Sequence, residues 1–500
     1  MGRRQQLHAG AGGHARDAPV AGRDLRRPRR RLQLSTEGSD ANGGPGSVQE
    51  GIFKAYDVRG LYGGEMDGDT NFLLGRAFAR VLADLRGKPV GDLRVGVGRD
   101  MRLQAPEMAG RLREGLEAEG AHVLDAGMVG TEMLYFMVGA RELDGGAMIT
   151  ASHNPKAYTG VKLVREGALA LSGDTGITAI RDLILAGLGD TPGGGSAEEV
   201  DITAEFEERA LSFVDAEAIQ PMKVVVDGGN GMAGQMVGPL LDRLPLDLIA
   251  TYWVPDGNFP DHEPNPLLPE NRTFIIDRVR AESADVGIAW DGDADRCFFI
   301  DDQGEFVDGD FLTALLAELV LEKAPGADIL YDVRASRAVP DTVTAAGGTP
   351  HINRVGHAFM KRSMKEIGGE FAGEVSGHYY FRQFYNADTG TIPALLVLEL
   401  LSKSGRRLSE LVGDLRSKYF ISGEINSEVA DPEAKMKEIA ESHPDAEVTW
   451  LDGVSVDYDD WHFNVRPSNT EPLLRLNLES LISREDMEAK RDAVLEQIRS

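Results

Sequence analysis

Three aspartates at alternate positions, Asp291, Asp293 and Asp295, stand between two apolar runs at 286–290 and 297–300, with Gly292 and Ala294 between them and Arg296 after them. Both flanks have the length and composition of buried strands. Three carboxylates in one short loop repel one another unless a cation joins them. In such a loop the spacing turns hard oxygen ligands toward one metal ion, and so few protein ligands suit Mg²⁺, which shares its shell with phosphate oxygens. A solvated acidic turn is the alternative, and it leaves the repulsion uncompensated. An EF-hand calcium loop does not fit. Its sixth position would be Arg296 rather than glycine, its twelfth Asp302 rather than glutamate, and its flanks are not helical.

Three further stretches carry chemistry. Thr150-Ala-Ser-His-Asn-Pro155 follows the apolar run 147–149. Asn154-Pro155 favours a turn, which places Ser152 on a loop exposed to a cleft as a candidate nucleophile; an ordinary polar turn fits the hexapeptide equally. Gly373-Glu-Val-Ser-Gly-His378 sets Glu374 and Ser376 between glycines, able to accept from and donate to sugar hydroxyls, with His378 either a ligand contact or a strand residue. Arg466, Ser468, Asn469 and Thr470 offer a guanidinium, two hydroxyls and an amide within five residues. A polar hairpin turn would account for them, but the arginine at the head favours phosphate, which its fork can bind through two oxygens. A glycine-rich turn at 228–234 follows the strand 223–227. It is neither a Walker A nor a dinucleotide-binding sequence, and tight strand-to-helix packing explains its glycines better than phosphate binding.

Around these stretches, strands alternate with helices. The run 93–97, a helix from about Pro106, strand 122–125, a short helix at 133–138 and the strand into Ser152 make a first α/β unit, which closes near the glycines at 193–195. A second unit begins at Lys223. A third opens on a helix whose Leu312, Leu315, Leu316, Leu319 and Val320 describe one buried face. The last unit is different. The runs 448–451 and 454–458 flank Asp452-Gly453, a hairpin signal, and strands at 462–465 and 473–478 precede a C-terminal helix. The domains expected are a disordered extension at 1–48, α/β domains at 49–198, 199–305 and 306–416, and an α+β domain at 417–500. The three α/β units have the look of distant copies of one another.

The extension holds nine arginines, from Arg3 to Arg31, among Gly, Ala and Pro, a composition that builds no core. No apolar segment suited to a signal peptide follows them. The chain as a whole carries a formal charge of −28, which repels nucleic acid and anionic membrane, so a phosphate site must bring its own arginines. No run of about 18 apolar residues occurs, so no membrane-spanning helix is expected. A single cysteine, Cys297, excludes an intrachain disulfide framework and fits a reducing cytoplasm.

The four stretches at 150–155, 291–296, 373–378 and 466–472 resemble, in order and spacing over about 450 residues, the four active-site loops of the α-D-phosphohexomutase superfamily. The runs 53–60 and 255–260 and the Asn469 of the last loop are similar to its bacterial phosphomannomutase/phosphoglucomutase branch; Val375 stands where that branch has Met. The resemblance implies four domains in a heart shape around a central cleft, three with mixed-sheet α/β folds and the fourth a small α+β lid. It implies a phosphorylated Ser152, with Asp291, Asp293, Asp295 and the Ser152 phosphate holding Mg²⁺. Ser152 would give its phosphoryl group to a hexose monophosphate, and the resulting hexose 1,6-bisphosphate, which also activates the enzyme, would return its other phosphate. Arg296 and His153 would support the phosphoserine, and Arg59, Lys162 and His357 would lie near the reacting groups. Tyr56, Arg334, Glu374, Ser376, His378, Arg466, Ser468, Asn469 and Thr470 would bind substrate. Arg334 replaces a lysine common in the family and is assigned an electrostatic role only. The expected partner is a hexose phosphate, on a monomer or dimer. The same chemistry on glucosamine phosphate, a metal-dependent sugar phosphatase and a sugar-phosphate-binding protein are the alternatives.

Overall fold

A computed structural model of the chain describes residues 48–467 and 473–500. The expectations for the arginine-rich extension up to residue 47 and for Ser468, Asn469 and Thr470 lie outside the described residues. The described residues form one compact unit.

Four sheets follow in chain order. The first contains β1 (Val58–Leu61), β2 (Arg94–Arg99), β3 (His122–Met128), β4 (Gly145–Ile149), β5 (Tyr158–Arg165), β6 (Leu169–Ala170) and β7 (Ser196–Glu199), ordered β1-β5-β4-β2-β3-β7 with β6 beside β5. The second contains β8 (Met222–Asp227), β9 (Leu246–Thr251), β10 (Val286–Trp290), β11 (Cys297–Ile300) and β12 (Phe306–Val307), ordered β12-β11-β10-β8-β9. The third contains β13 (Asp328–Asp332), β14 (Thr349–Asn353), β15 (Phe371–Gly373), β16 (Tyr379–Phe381) and β17 (Ala387–Asp388), ordered β14-β13-β15-β16-β17.

One topology recurs in all three. Two parallel strands are joined by a third that pairs in parallel with the first of them, and the chain then turns back antiparallel. The turns are β4 to β5, β10 to β11, and β15 to β16. The three loops singled out in the sequence at 150–155, 291–296 and 374–378 are these turns. Each sits at the C-terminal end of a strand that is buried along its length, as at Val286–Trp290, where the carboxyl ends of parallel strands open onto a ligand site.

The fourth sheet is antiparallel and contains β18 (Phe420–Ile421), β19 (Ile425–Glu428), β20 (Glu447–Thr449), β21 (Val454–Asp457), β22 (Trp461–Pro467) and β23 (Leu473–Ser480). Helices 432–442 and 484–499 cover one face with Met436, Ile439, Met487, Val494, Leu495 and Ile498. This core is separate from the large one that runs through the first three sheets. Polar contacts join the fourth domain to the third: Arg337 donates to the Asp459 carbonyl at 2.9 Å, and the Val355 amide donates to Asp452 at 2.9 Å.

One boundary differs from the sequence expectation. At the end of the first unit, Gly193 and Gly194, at φ +69° and +92°, turn the chain back so that β7 adds in parallel to β3. Phe306 and Val307, placed in the third unit by sequence, pair with β11 and form the edge of the second sheet.

Candidate active site

The first two turns meet. Gly292 packs so closely on the serine loop that a Cβ there would lie 2.6 Å from the Ser152 carbonyl oxygen, so only glycine lets the aspartate loop approach. The glycine-rich turn at 228–234 supports that loop from behind. The Met232 amide donates to the Gly292 carbonyl at 2.9 Å, and a Cβ on Gly231 would stand 2.7 Å from the same oxygen. Close packing accounts for these glycines.

Ser152 is not exposed. It is 4% accessible, because the aspartate loop, 139 residues further along the chain, covers it. Its hydroxyl donates to Asp291 Oδ2 at 2.7 Å and lies 3.1 Å from His153 Nδ1 and 3.4 Å from Arg296 Nη2. Its backbone has φ +49°, a left-handed conformation that costs energy in a residue with a side chain. Thr150 Oγ1, which accepts from the Ser152 amide at 2.8 Å, holds the turn, together with Arg102. Arg102 is 2% exposed and donates to the carbonyls of Ser152, Asn154, Pro155 and Tyr158, while its guanidinium faces the Phe259 ring of the second unit.

The carboxylates of Asp291, Asp293 and Asp295 are buried, and ligand oxygens from the three lie within 4.8 Å of one another. Asp293 Oδ2 receives the hydroxyls of Thr131 at 2.6 Å and Thr150 at 3.1 Å and the Lys162 ammonium at 2.8 Å; Lys162 also bonds Asp295. Asp293 Oδ1 and Asp295 Oδ1 are buried with no hydrogen-bond donor. Burial and Asp293 push the Asp295 carboxyl well above the usual range, whereas the Lys162 ammonium overcomes burial and holds Asp293 below it. Bare hard oxygens turned to one point, at a site that cannot keep three negative charges unaided, fit a divalent cation.

The remaining predicted residues extend from this centre. Arg296 bonds Asp291 at 2.7 Å and donates to His153 Nδ1, so that nitrogen is an acceptor. Arg59 bonds Asp57 and donates to the Asn154 side chain at 2.6 Å. The His378 ring stacks on that of His357, with centroids 6.3 Å apart, and its Nε2 lies 4.0 Å from Asp295, which joins the third turn to the aspartate loop. Tyr56 stands edge-on to His357 at 5.3 Å. Burial first, then nearby cations, lowers all three imidazoles: His357 falls to about 3, and His153 and His378 lie well below the usual value. The site therefore presents neutral imidazoles. Ser376 Oγ lies 3.0 Å from His378 Nδ1. Glu374 accepts from the Gly356 amide at 2.7 Å and from the Tyr380 hydroxyl, and burial raises its carboxyl to about 7.

A second cationic centre forms between the third and fourth domains. Arg334 bonds Asp332 through two nitrogens, at 2.9 and 2.8 Å, and points its third nitrogen toward Glu424; Arg466 and Arg475 bond Glu424 at 3.1 and 2.9 Å. Sequence reasoning found Arg334 and Arg466. It missed Arg102, Thr131, Glu424 and Arg475. Arg102 carried one usable signal: it follows the end of β2, which lies beside β4 and so beside the Ser152 turn.

Four family models match in order. They describe phosphoglucomutase/phosphomannomutase alpha/beta/alpha domain I at residues 50–187, domain II at 204–304 and domain III at 308–419, and the C-terminal domain at 424–497. A relative from Xanthomonas campestris pv. campestris, named as a phosphohexose mutase, is 45% identical over 86% of this chain and 94% of its own length. The phosphomannomutase of Escherichia coli K12 is 42% identical over the same shares. The crystal structure of a phosphoglucomutase/phosphomannomutase family protein from Burkholderia thailandensis superposes with a TM-score of 0.83 at 34% identity, covering 90% of this chain and 98% of that one.

Proposed function

The chain belongs to the phosphoglucomutase/phosphomannomutase family, and from that premise we propose that it interconverts the 1- and 6-phosphates of mannose and glucose through phosphorylated Ser152 and a hexose 1,6-bisphosphate. The observation that carries this reading is the 2.7 Å contact between Ser152 and Asp291, inside a set of three buried carboxylates, two cations and neutral imidazoles. Phosphoryl transfer needs charge neutralisation and in-line positioning more than covalent catalysis.

Asp291, Asp293, Asp295 and the Ser152 phosphate would hold Mg²⁺, which neutralises charge on the phosphoryl group in transfer. Arg296 donates to the Ser152 oxygen and keeps the His153 imidazole deprotonated at Nδ1. Lys162 stands against Asp293 and Asp295 as a second cation. A sugar hydroxyl that takes the phosphoryl group loses a proton, and neutral His378, whose Nε2 lies 4.0 Å from Asp295 and whose ring stacks on His357, is the base we assign to it. Arg334 and Arg466 anchor the phosphate that is not reacting. After the first transfer the bisphosphate turns end for end, and its other phosphate returns to Ser152.

Near-complete burial of Ser152 favours a mutase over a phosphatase, because water must be kept from the phosphoserine. Mannose and glucose differ only at C2, and the two relatives' names, phosphohexose mutase and phosphomannomutase, fit dual use. The reading places the enzyme in the cytoplasm, where its substrates are. The test is to incubate the protein with Mg²⁺, hexose 1,6-bisphosphate and mannose 1-phosphate or glucose 1-phosphate. The 6-phosphate is expected as product, with one phosphate on the intact mass of the wild type and none on Ser152→Ala. Free phosphate as the main product would make it a hydrolase, no turnover a binding protein, and a Ser152→Ala variant with wild-type kcat would remove the nucleophile.

A further inference from the structure

The Glu424 carboxylate lies among three guanidinium groups from two domains. It sits in the link between β18 and β19, directly after Gly423, whose φ of +69° bends the chain inward. One carboxylate oxygen receives Arg466 Nη2 at 3.1 Å and lies 3.6 Å from Arg334 Nη1; the other receives Arg475 Nη1 at 2.9 Å. Burial works against its charge, and the three arginines still hold its carboxyl below the usual range. The arginines are not spent on it. The Nε of Arg466 and the Nε of Arg475 are buried with no acceptor. Of the other nearby carboxylates, Asp332 is bonded to Arg334 and Glu374 is turned to Tyr380 and Gly356.

We propose that Glu424 is an internal competitor at the distal phosphate site: its carboxylate holds the arginine set until the substrate's non-reacting phosphate displaces it. This rests on the assignment of Arg334 and Arg466 to that phosphate, and it adds Arg475 to the set. Charge supports the exchange. Arg334 is already balanced by Asp332, so the set carries one excess positive charge with Glu424 in place and none with a phosphate dianion instead. A dianion therefore gains where a monoanion only replaces like with like, and monovalent inorganic anions such as chloride are turned away. At 26% side-chain exposure Glu424 has solvent on one side into which it can withdraw. Because Arg334 belongs to the third domain and Glu424 to the fourth, the exchange replaces a contact within the protein by one through the substrate. Closure of the fourth domain would then report a bound phosphate ester.

The experiment measures inorganic phosphate binding to the full chain by calorimetry, in wild type, Glu424→Gln and Arg466→Ala. Glu424→Gln keeps the shape and removes the charge, so its phosphate Kd should fall about tenfold. Inorganic phosphate should become a correspondingly stronger competitive inhibitor, and KM for mannose 1-phosphate should fall. If phosphate binds Glu424→Gln equally or more weakly, Glu424 serves to orient the arginines and the proposal is overturned. Should that variant melt early, Glu424→Ala and the phosphate-induced rise in melting temperature, taken relative to each protein's own baseline, decide the same question. Undiminished phosphate binding by Arg466→Ala would instead sink the assignment of the distal site, whatever the Glu424 variants do.

Discussion

Arg102 Nη2 donates to the carbonyl oxygens of Ser152 at 2.7 Å and Asn154 at 2.6 Å, and its Nη1 donates to those of Pro155 at 3.1 Å and Tyr158 at 3.3 Å. Four carbonyls drawn to one buried cation fix the path of the turn that carries Ser152, the proposed nucleophile. They also hold Ser152 in a left-handed conformation it would not keep alone. The charge lies behind the serine backbone, so Arg102 positions Ser152 without touching what Ser152 reacts with.

Arg102→Lys should lower kcat far more than it raises KM. A lysine ammonium cannot span four carbonyls, and a misplacement of about 1 Å at a reacting group costs on the order of a hundredfold. In the proposed reaction the distal phosphate is held by other domains, so KM for hexose 1-phosphate should stay within about threefold. Steady-state kinetics on the fraction of protein that carries phosphoserine separates this from a loss of folded enzyme. An unchanged kcat would show that the turn holds itself.

Arg466→Ala should reduce kcat/KM for the 1-phosphate and the 6-phosphate alike. Whichever end reacts at Ser152, the other carries a phosphate that needs a distant anchor. Loss of a charge-assisted hydrogen bond costs roughly 1.5–3 kcal/mol, or about tenfold to 150-fold. Initial rates in both directions check it, and a change under about twofold in both would remove Arg466 from the anchor.

Where apolar runs abut polar turns, the sequence was legible. The aspartate loop needed only its flanks, β10 and β11, and these are the strands observed. The alternation of strands and helices in the three α/β units is conveyed by local periodicity; the four-strand core order that they share is not, because it is set by pairing between distant segments. What stayed hidden depends on contacts between distant segments. Asn154 and Pro155 mark a turn, but the burial of Ser152 is supplied by residues of another domain. Arg102 binds backbone carbonyls, which leave no signature in side-chain spacing. Glu424 is an unremarkable acid in sequence and becomes special only where three arginines meet.

Magnesium added to chelator-treated protein should raise its melting temperature, and Asp295→Asn should abolish most of that rise. Asp295 is the one of the three carboxylates whose charge the protein supports least, as burial and Asp293 both raise it. A ligand at about a hundred times its Kd adds about 2.7 kcal/mol of stability, well within the range of calorimetry. An equal rise in the variant would move the cation site away from the aspartate loop.

Stability should fall as pH rises from about 5 to 8, and Glu132→Gln should flatten that fall. Glu132 lies in the helix Thr131–Ala140, fully buried against the third domain, with the Thr391 hydroxyl donating to it. Burial lifts its carboxyl from 4.5 to about 8, outweighing the hydrogen bonds from Thr389 and Thr391. A folded-state value above the unfolded one means the folded chain holds the proton more tightly. The contribution to stability is therefore complete below about pH 4.5 and is lost progressively up to about pH 8. Over that window the loss is on the order of 3–5 kcal/mol. Glutamine keeps an acceptor for Thr391 and carries no titrating proton, so the melting temperature of the variant relative to wild type should climb with pH and level off above about 8. Asp310, Glu374 and Glu479, each raised by burial to about 7, leave a residual slope in both proteins, which the difference cancels. A difference that stays flat from pH 5 to 8 would mean that Glu132 is ionised in the folded chain, with an unseen partner for its charge between the first and third domains.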